Sequence, residues 1–220
     1  MDRRQTVGVT SEAFLLLAIT LAIAVADWAA VHSERKGVEY VAKPLTMVGL
    51  ILVALSLNVS SDLERGAFIV ALVFSLIGDV FLMLPGEQWF VFGLGSFLAG
   101  HVAYVVGLWI AGVTLGAFIV GLAIVAVAVA LIGLRIVRAV RDSDAPALAM
   151  PVGMYMGVIS LMLASAIGTR NAFAIVGATL FYASDALIAW NRFIKAYPWG
   201  RVTIMVTYHL GQMGLVLSLI

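Results

Sequence analysis

The chain has 220 residues, of which 63% are hydrophobic and 11% are charged, and its formal net charge is +1. About a quarter of the residues in a soluble domain are charged, so this chain has too little polar surface to face water and is predicted to face lipid. The near-neutral charge and the absence of a basic patch argue against a nucleic-acid partner. The absence of cysteine excludes disulfides and thiolate chemistry.

Apolar runs of about 20 residues, the length that crosses about 30 Å of hydrocarbon, recur along the whole sequence. They predict an all-α, polytopic membrane helical bundle of about eight transmembrane helices, with short loops and a single domain over residues 1–220. The predicted spans are Ser11–Val31, Pro44–Val59, Gly66–Leu84, Phe90–Ile110, Thr114–Leu134, Ala147–Ile167, Asn171–Trp190 and Arg201–Leu219.

The first predicted span has a second interpretation. Met1–Arg4 followed by an apolar stretch that ends in Ala24, Val25 and Ala26 also fits a signal peptide with a small-residue cleavage site. A transmembrane helix is favoured because the apolar run continues to Val31 and because the repeat described next requires this helix.

The two halves of the chain contain a proline, an aspartate and a histidine in the same order and at similar spacing. These residues are Pro44, Asp79 and His101 in the first half, and Pro151, Asp185 and His209 in the second. Four crossings return the chain to its starting side, so the pattern predicts two parallel four-helix repeats, residues 11–110 and 114–219, about an axis along the membrane normal. Coincidence remains the alternative, because only three positions define the match.

Lysine and arginine are unevenly distributed between the two predicted membrane surfaces. One surface carries Arg3, Arg4, Arg65 and Arg170. The other, which we name the nine-charge surface, carries Arg35, Lys36, Lys43, Arg135, Arg138, Arg141, Arg192, Lys195 and Arg201. The positive-inside rule predicts that the nine-charge surface is cytoplasmic, in a bacterial inner membrane.

Two aspartates lie inside predicted helices, where a charged side chain costs about 2.5–3.5 kcal/mol on insertion scales. Asp79 and Asp185 each lie about five residues from a helix end, so both are predicted about 8 Å below the nine-charge surface. His101, Tyr104 and Tyr208 are predicted in the same leaflet. This concentration of polar residues predicts a site that opens toward the cytoplasmic face.

A pair of buried carboxyls suits acid–base chemistry, because one can hold a proton while a cation such as Lys43 keeps the other ionised. The same pair would suit a proton-coupled carrier or a purely structural contact, so the pattern alone does not choose. Asp27, near the end of the first helix, is expected to lie less deep and to stabilise the helix terminus. No metal site is predicted, because the spacing of His101 and His209 matches no ligand motif.

Several short motifs follow one another between the second and eighth predicted helices. They are Lys43-Pro44, Gly78-Asp79, Phe92-Gly93 through Phe97 to His101 and Tyr104, Pro151 with Tyr155, Gly177-Ala178 through Phe181 to Ser184-Asp185, and Tyr208 with Gln212. In this order and spacing they resemble the YhhN family, whose animal members are lysoplasmalogenases.

The resemblance implies hydrolysis of the vinyl ether of a lysoplasmalogen, or of a related lysophospholipid, to a fatty aldehyde and glycerophospho-ethanolamine or -choline. It also implies two essential aspartates, Asp79 and Asp185, and no metal or organic cofactor. The expected substrate-binding residues are Lys43, His101, Tyr104, Tyr155, Asn191, Arg192, Tyr208 and Gln212. Lys43 and Arg192 are expected to meet the phosphate at headgroup level. The alternatives are a small proton-linked transporter and a non-catalytic lipid-binding membrane protein.

Overall fold

Residues 7–220 are described by a computed structural model, and within them the chain forms eight consecutive helices and no β-strand. The helices are α1 (Ser11–His32), α2 (Lys36–Ser56), α3 (Asp62–Met83), α4 (Glu87–Ala111), α5 (Leu115–Arg141), α6 (Pro146–Thr169), α7 (Ala172–Phe193) and α8 (Gly200–Leu217). The predicted all-α bundle is therefore confirmed. Arg3 and Arg4, which were counted in the charge distribution, lie outside the described residues.

Within the described part of the chain, helices α1–α7 are long and apolar enough to cross a membrane. Large apolar side chains such as Phe14 and Leu115 are exposed on their outer faces, as contact with lipid requires. Helix α8 is shorter, with 18 residues, and it contains His209 and Gln212. Both of these side chains are buried, so the polar groups of α8 face the interior of the bundle. The chain is an integral membrane protein.

Glycines bring neighbouring helix backbones into direct contact. At the α7–α8 interface, a Cβ atom added to Gly177 would lie 2.6 Å from the backbone nitrogen of Leu215 and 2.8 Å from the carbonyl oxygen of Gly211. Between α3 and α4, a Cβ at Gly78 would lie 2.6 Å from the ring of Phe97. These close approaches fix the relative positions of the helices that carry the candidate site.

The predicted start of the second helix at Pro44 is wrong, because α2 begins eight residues earlier and Pro44 lies inside it. The charged residues before Pro44 indicated a loop. In the folded chain, however, Glu39 and Lys43 are buried and form ion pairs with Arg201 and Asp79. Ion-pair partners on other helices therefore compensate the charges of Glu39 and Lys43, so α2 can extend through these residues.

The predicted end of the fifth helix at Leu134 is also wrong. Helix α5 continues to Arg141 through a π-helical segment, Val129–Gly133. In its last two turns Ile136 and Val140 are buried, whereas the arginines lie on the exposed face. This end of α5 is thus amphipathic, and long arginine side chains can reach the interface while the helix continues.

Candidate active site

A cavity that opens to the surface lies between α4, α5, α6 and α7. Its wall is largely apolar and includes Leu94, Ile136, Met156, Ile159, Ala189 and Phe193. The π-helical segment of α5 contributes Ile132 and Gly133 to the cavity wall. The apolar lining of this cavity suits a hydrocarbon chain.

Asp185 is the one carboxyl of residues 7–220 that lines this cavity. The hydroxyl of Tyr155 donates a hydrogen bond to Asp185 Oδ2, and His101 Nε2 lies 3.7 Å from the same oxygen. The His101 Nδ1 atom is 2.6 Å from the carbonyl oxygen of Phe97, which can only accept, so Nδ1 carries the proton. In the neutral ring, Nε2 therefore presents a lone pair toward Asp185.

The two aspartates lie at different distances from the ends of their helices. Helix α7 continues to Phe193, eight residues beyond Asp185, which places the aspartate about 12 Å from the helix end. Asp79 lies four residues before the end of α3 at Met83, about 6 Å from that end. The expectation that both lie about 8 Å below one membrane surface stays a prediction.

Asp79 does not line the cavity and is 1% exposed. Lys43 Nζ lies 3.1 Å from Asp79 Oδ1, and the Tyr208 hydroxyl donates to Oδ2 at 2.6 Å. An ammonium and a hydroxyl therefore compensate this carboxylate on both oxygens. The expected headgroup position of Lys43 is wrong, because this side chain is 6% exposed and its charge is directed at Asp79.

Three rings, which we name the aromatic wall, stand between the two aspartates. Phe97, Phe181 and Tyr208 pack edge to face, with centroid distances of 5.3–6.2 Å. Phe181 also contacts His101, at 4.7 Å between centroids, on the Asp185 side. Of the two aspartates, only Asp185 can therefore touch a molecule in the cavity.

Three of the expected binding residues make no hydrogen bond to either aspartate. The Tyr104 hydroxyl donates to Gln212 Oε1, and this buried pair links α4 to α8. The Asn191 side-chain oxygen accepts a hydrogen bond from the backbone of Tyr197, and its amide packs against Gly200. Asn191 thus orders the α7–α8 loop, and Tyr104 and Gln212 stabilise the packing of the bundle.

Arg192 lies in a surface groove next to the cavity. Its guanidinium carbon stands 3.8 Å from the centroid of the Phe90 ring, and Arg192 and Glu87 line a surface groove of about 580 Å³. Phe90 and Leu82 belong to both the groove and the cavity. An amphipathic molecule could therefore occupy both at once, with its charged part near Arg192.

Asp27 lies inside the bundle, so the expectation that it stabilises the helix terminus is wrong. This side chain is fully buried, and neither of its carboxyl oxygens has a hydrogen-bond partner among residues 7–220. Ala24 and Val31, three residues before and four residues after it, are buried on the same face of α1. That apolar stripe was the available signal that Asp27 points into the bundle instead of supporting the helix terminus.

The fold and the site define an all-α membrane protein with an apolar cavity and a carboxyl, Asp185, in the cavity wall. The model of the YhhN family matches residues 38–219, and the chain belongs to this family. The resemblance seen in the motifs is thereby confirmed.

Several similar proteins carry the name lysoplasmalogenase. Lysoplasmalogenase TMEM86A of Homo sapiens is 32% identical over 159 residues, which cover 68% of this chain and 63% of that protein. Lysoplasmalogenase TMEM86B of Sus scrofa is 30% identical over 148 residues, covering 67% and 61%. Lysoplasmalogenase of Mycobacterium bovis is 35% identical over 141 residues, covering 60% and 51%. The chain thus spans less than two thirds of the length of these relatives. No solved structure gives a significant match.

Proposed function

We propose that this protein is a membrane hydrolase that cleaves the vinyl ether bond of a lysoplasmalogen, or of a related lysophospholipid. The products are a fatty aldehyde and glycerophospho-ethanolamine or -choline. The observation that carries the proposal is Asp185, a carboxyl with 11% of its side chain exposed that lies in the wall of an apolar cavity. The names of the similar proteins support the same reaction.

Vinyl ether hydrolysis requires an acid, a negative charge and a single water molecule. The acid protonates the alkene carbon farther from the ether oxygen, and the remaining carbon and oxygen form an oxocarbenium ion. Water adds to that carbon and gives up a proton, and the resulting hemiacetal collapses to an aldehyde and an alcohol. A similar cation forms in glycoside hydrolysis, where carboxyl groups perform the same tasks.

The surroundings of Asp185 supply these functions. A protonated Asp185 donates its proton to the alkene carbon, and the carboxylate left behind faces the cation. Tyr155 holds the carboxyl through its hydroxyl, and the lone pair on His101 Nε2 accepts the proton that the attacking water releases. Asp79 acts through its charge from behind the aromatic wall, because it makes no contact with the cavity.

The cavity and groove suit the two ends of a lysophospholipid. The alkenyl chain occupies the apolar cavity, and the phosphate lies beside Arg192. Asp185 and Arg192 are seven residues apart on one face of α7, about 10 Å along its axis. The glycerol unit bridges this interval, so that the vinyl ether lies near Asp185. Glu87 in the same groove offers a counter-charge to an ethanolamine or choline group.

An assay of aldehyde release tests the proposed reaction. The purified protein in detergent is incubated with an alkenyl-lysophospholipid and, separately, with the matched alkyl-lysophospholipid, which has no double bond to protonate. Aldehyde from the alkenyl lipid alone supports the proposal. If neither lipid yields aldehyde, the hydrolase proposal fails, and flux measurements in proteoliposomes then address the transporter alternative.

Exchange of Arg192 for glutamine is expected to raise KM about tenfold and to change kcat little. The phosphate contact is made equally in the bound substrate and in the transition state, so its loss weakens uniform binding. The measurement is the rate of aldehyde release as a function of lipid concentration. Arg170→Gln, on the opposite membrane surface, is the control, and a KM for Arg192→Gln equal to that of the control would contradict the headgroup assignment.

We infer that the nine-charge surface faces the cytoplasm of a bacterial inner membrane, so that lysolipid enters from the cytoplasmic leaflet. The support is the concentration of basic residues on that surface. Because the chain has no cysteine, single cysteines placed at Ser143 and at Asn58 report the two surfaces separately. A membrane-impermeant thiol reagent added to intact cells should label the variant at Asn58 only. Labelling at Ser143 instead reverses the orientation.

A further inference from the structure

The groove beside the cavity contains one basic and one acidic side chain, Arg192 and Glu87. Its other lining residues are Leu82, Leu84, Gly86 and Phe90. Within residues 7–220, neither of the two charged side chains forms an ion pair, with the other or with a third residue. Opposite charges that line one groove without pairing match the two charges of a zwitterionic headgroup.

Two aromatic rings hold the guanidinium of Arg192 at the groove. Its central carbon lies 3.8 Å from the centroid of the Phe90 ring and 5.5 Å from that of the Phe193 ring. A guanidinium is planar and has five N–H donors in a fixed arrangement that matches the oxygens of a phosphate. The stacked Arg192 is therefore already positioned to bind the phosphate of a headgroup.

The aromatic residues near the groove do not form a binding site for a quaternary ammonium. A choline group has no N–H donor, and proteins recognise it with a cage of several aromatic rings. Phe90 is the one aromatic residue of the described chain that lines the groove, and the Arg192 guanidinium lies over its ring. The neighbouring Trp89 stacks on Phe81, with 5.5 Å between their centroids. Among residues 7–220, the groove thus offers choline no aromatic cage.

A primary ammonium suits the acidic side of the groove better. The ammonium of ethanolamine has three N–H donors, and the carboxylate of Glu87 is an acceptor of hydrogen bonds. Hydrogen bonds between ionised groups are about twice as strong as those between neutral groups. A glycerol headgroup has no cation and would place its phosphate charge in the same groove as Glu87 without compensation.

We propose that the groove selects an ethanolamine headgroup, with its phosphate bound by Arg192 and its ammonium bound by Glu87. This inference rests on the proposed function and assigns Glu87 as a specificity-determining residue. Two carbon atoms separate the phosphate ester from the ammonium in ethanolamine, so one groove can hold both groups. The expected order of affinity is ethanolamine, then choline, which keeps the charge but lacks the N–H donors, and then glycerol.

A structural role for Glu87 would have a different signature. Glu87 lies in the first turn of α4, where a carboxylate stabilises the start of a helix. Loss of that contribution would lower the unfolding temperature of Glu87→Gln and leave the order of headgroup affinities unchanged. The readout that separates the two roles is therefore headgroup discrimination.

Competition binding measures this discrimination without turnover. The purified protein in detergent binds a radiolabelled alkyl-lysophosphoethanolamine, which has no vinyl ether, and unlabelled alkyl lysolipids with the three headgroups displace it. The ethanolamine lipid should displace the label at about fivefold lower concentration than the choline lipid, the range of an exposed charged contact. Glu87→Gln should bind these two lipids equally. Glu12→Gln, exposed in the first turn of α1 at the opposite surface, should keep the wild-type order.

The outcomes separate this inference from the proposed function. Equal displacement by the three lipids from the wild type overturns the headgroup assignment, as does failure of the labelled lipid to bind. A wild-type order retained in Glu87→Gln also overturns it. Aldehyde release from the alkenyl lipid is measured in parallel. If no aldehyde forms while the headgroup order is as expected, the hydrolase proposal fails and the groove assignment stands.

Discussion

Replacement of Asp185 by asparagine is expected to lower kcat for aldehyde release about a thousandfold, the range for loss of a general acid. The amide has the shape of the carboxyl and can still accept the hydrogen bond from Tyr155, so the cavity should keep its form. It has no acidic proton to give to the alkene carbon. The measurement is single-substrate kinetics with the alkenyl lipid, accompanied by thermal unfolding in detergent.

Asp62→Asn is the matched control for this experiment. Asp62 is an exposed aspartate at the opposite end of the bundle, where it pairs with Arg65. Its replacement should leave kcat and the unfolding temperature unchanged. Activity of Asp185→Asn within tenfold of wild type, with the fold intact, would remove Asp185 from the role of acid and with it the proposed mechanism.

The membrane fold could be predicted because lipid requires each span to be long and apolar, and both properties can be read from the sequence. The predictions failed where a charged residue pairs with a residue in another part of the chain. Lys43 was expected at headgroup level because its partner Asp79 is 36 positions away in the sequence, and only the tertiary structure brings the two together. The fifth span was predicted to end before the arginines of α5 because average hydropathy does not detect an amphipathic helix end at the membrane interface.

The candidate site was predicted in composition but not in arrangement. Asp79 and Asp185 follow small residues in similar positions near helix ends, and nothing in their local sequence separates them. Their environments differ because Phe97 fills the space over Gly78 beside Asp79, whereas Asp185 lines a cavity to which the π-helical segment of α5 contributes Gly133. Only the packing of distant helices decides which acid meets the cavity.

The two-repeat arrangement, residues 11–110 and 114–219, stays a proposal, and the contacts of the aspartates support it. Each aspartate meets one residue from the helix before it and one from the last helix of the other half. These residues are Lys43 and Tyr208 at Asp79, and Tyr155 and His101 at Asp185. The halves would then have diverged in function, with one aspartate paired to a cation and the other open to the cavity.

Substitution of Gly177 by alanine is expected to destabilise the protein by about 2–3 kcal/mol, which is typical of overpacking. The new methyl group would lie 2.6–2.8 Å from backbone atoms of Leu215, Gly211 and Gly214. Backbone atoms cannot rotate away, so α7 and α8 must separate. Because α7 carries Asp185 and α8 carries Tyr208, aldehyde release should fall together with stability.

Gly153→Ala is the control for Gly177→Ala, because the same chemical change is expected to stabilise the protein at this position. A Cβ at Gly153 meets nothing within 4 Å, and alanine is favoured over glycine in a helix by about 1 kcal/mol. This variant should unfold at or above the wild-type temperature in detergent, whereas Gly177→Ala should unfold well below it. Equal unfolding temperatures for the two variants would show that α7 and α8 are not in backbone contact. The placement of Tyr208 near the aromatic wall would then lose its physical basis.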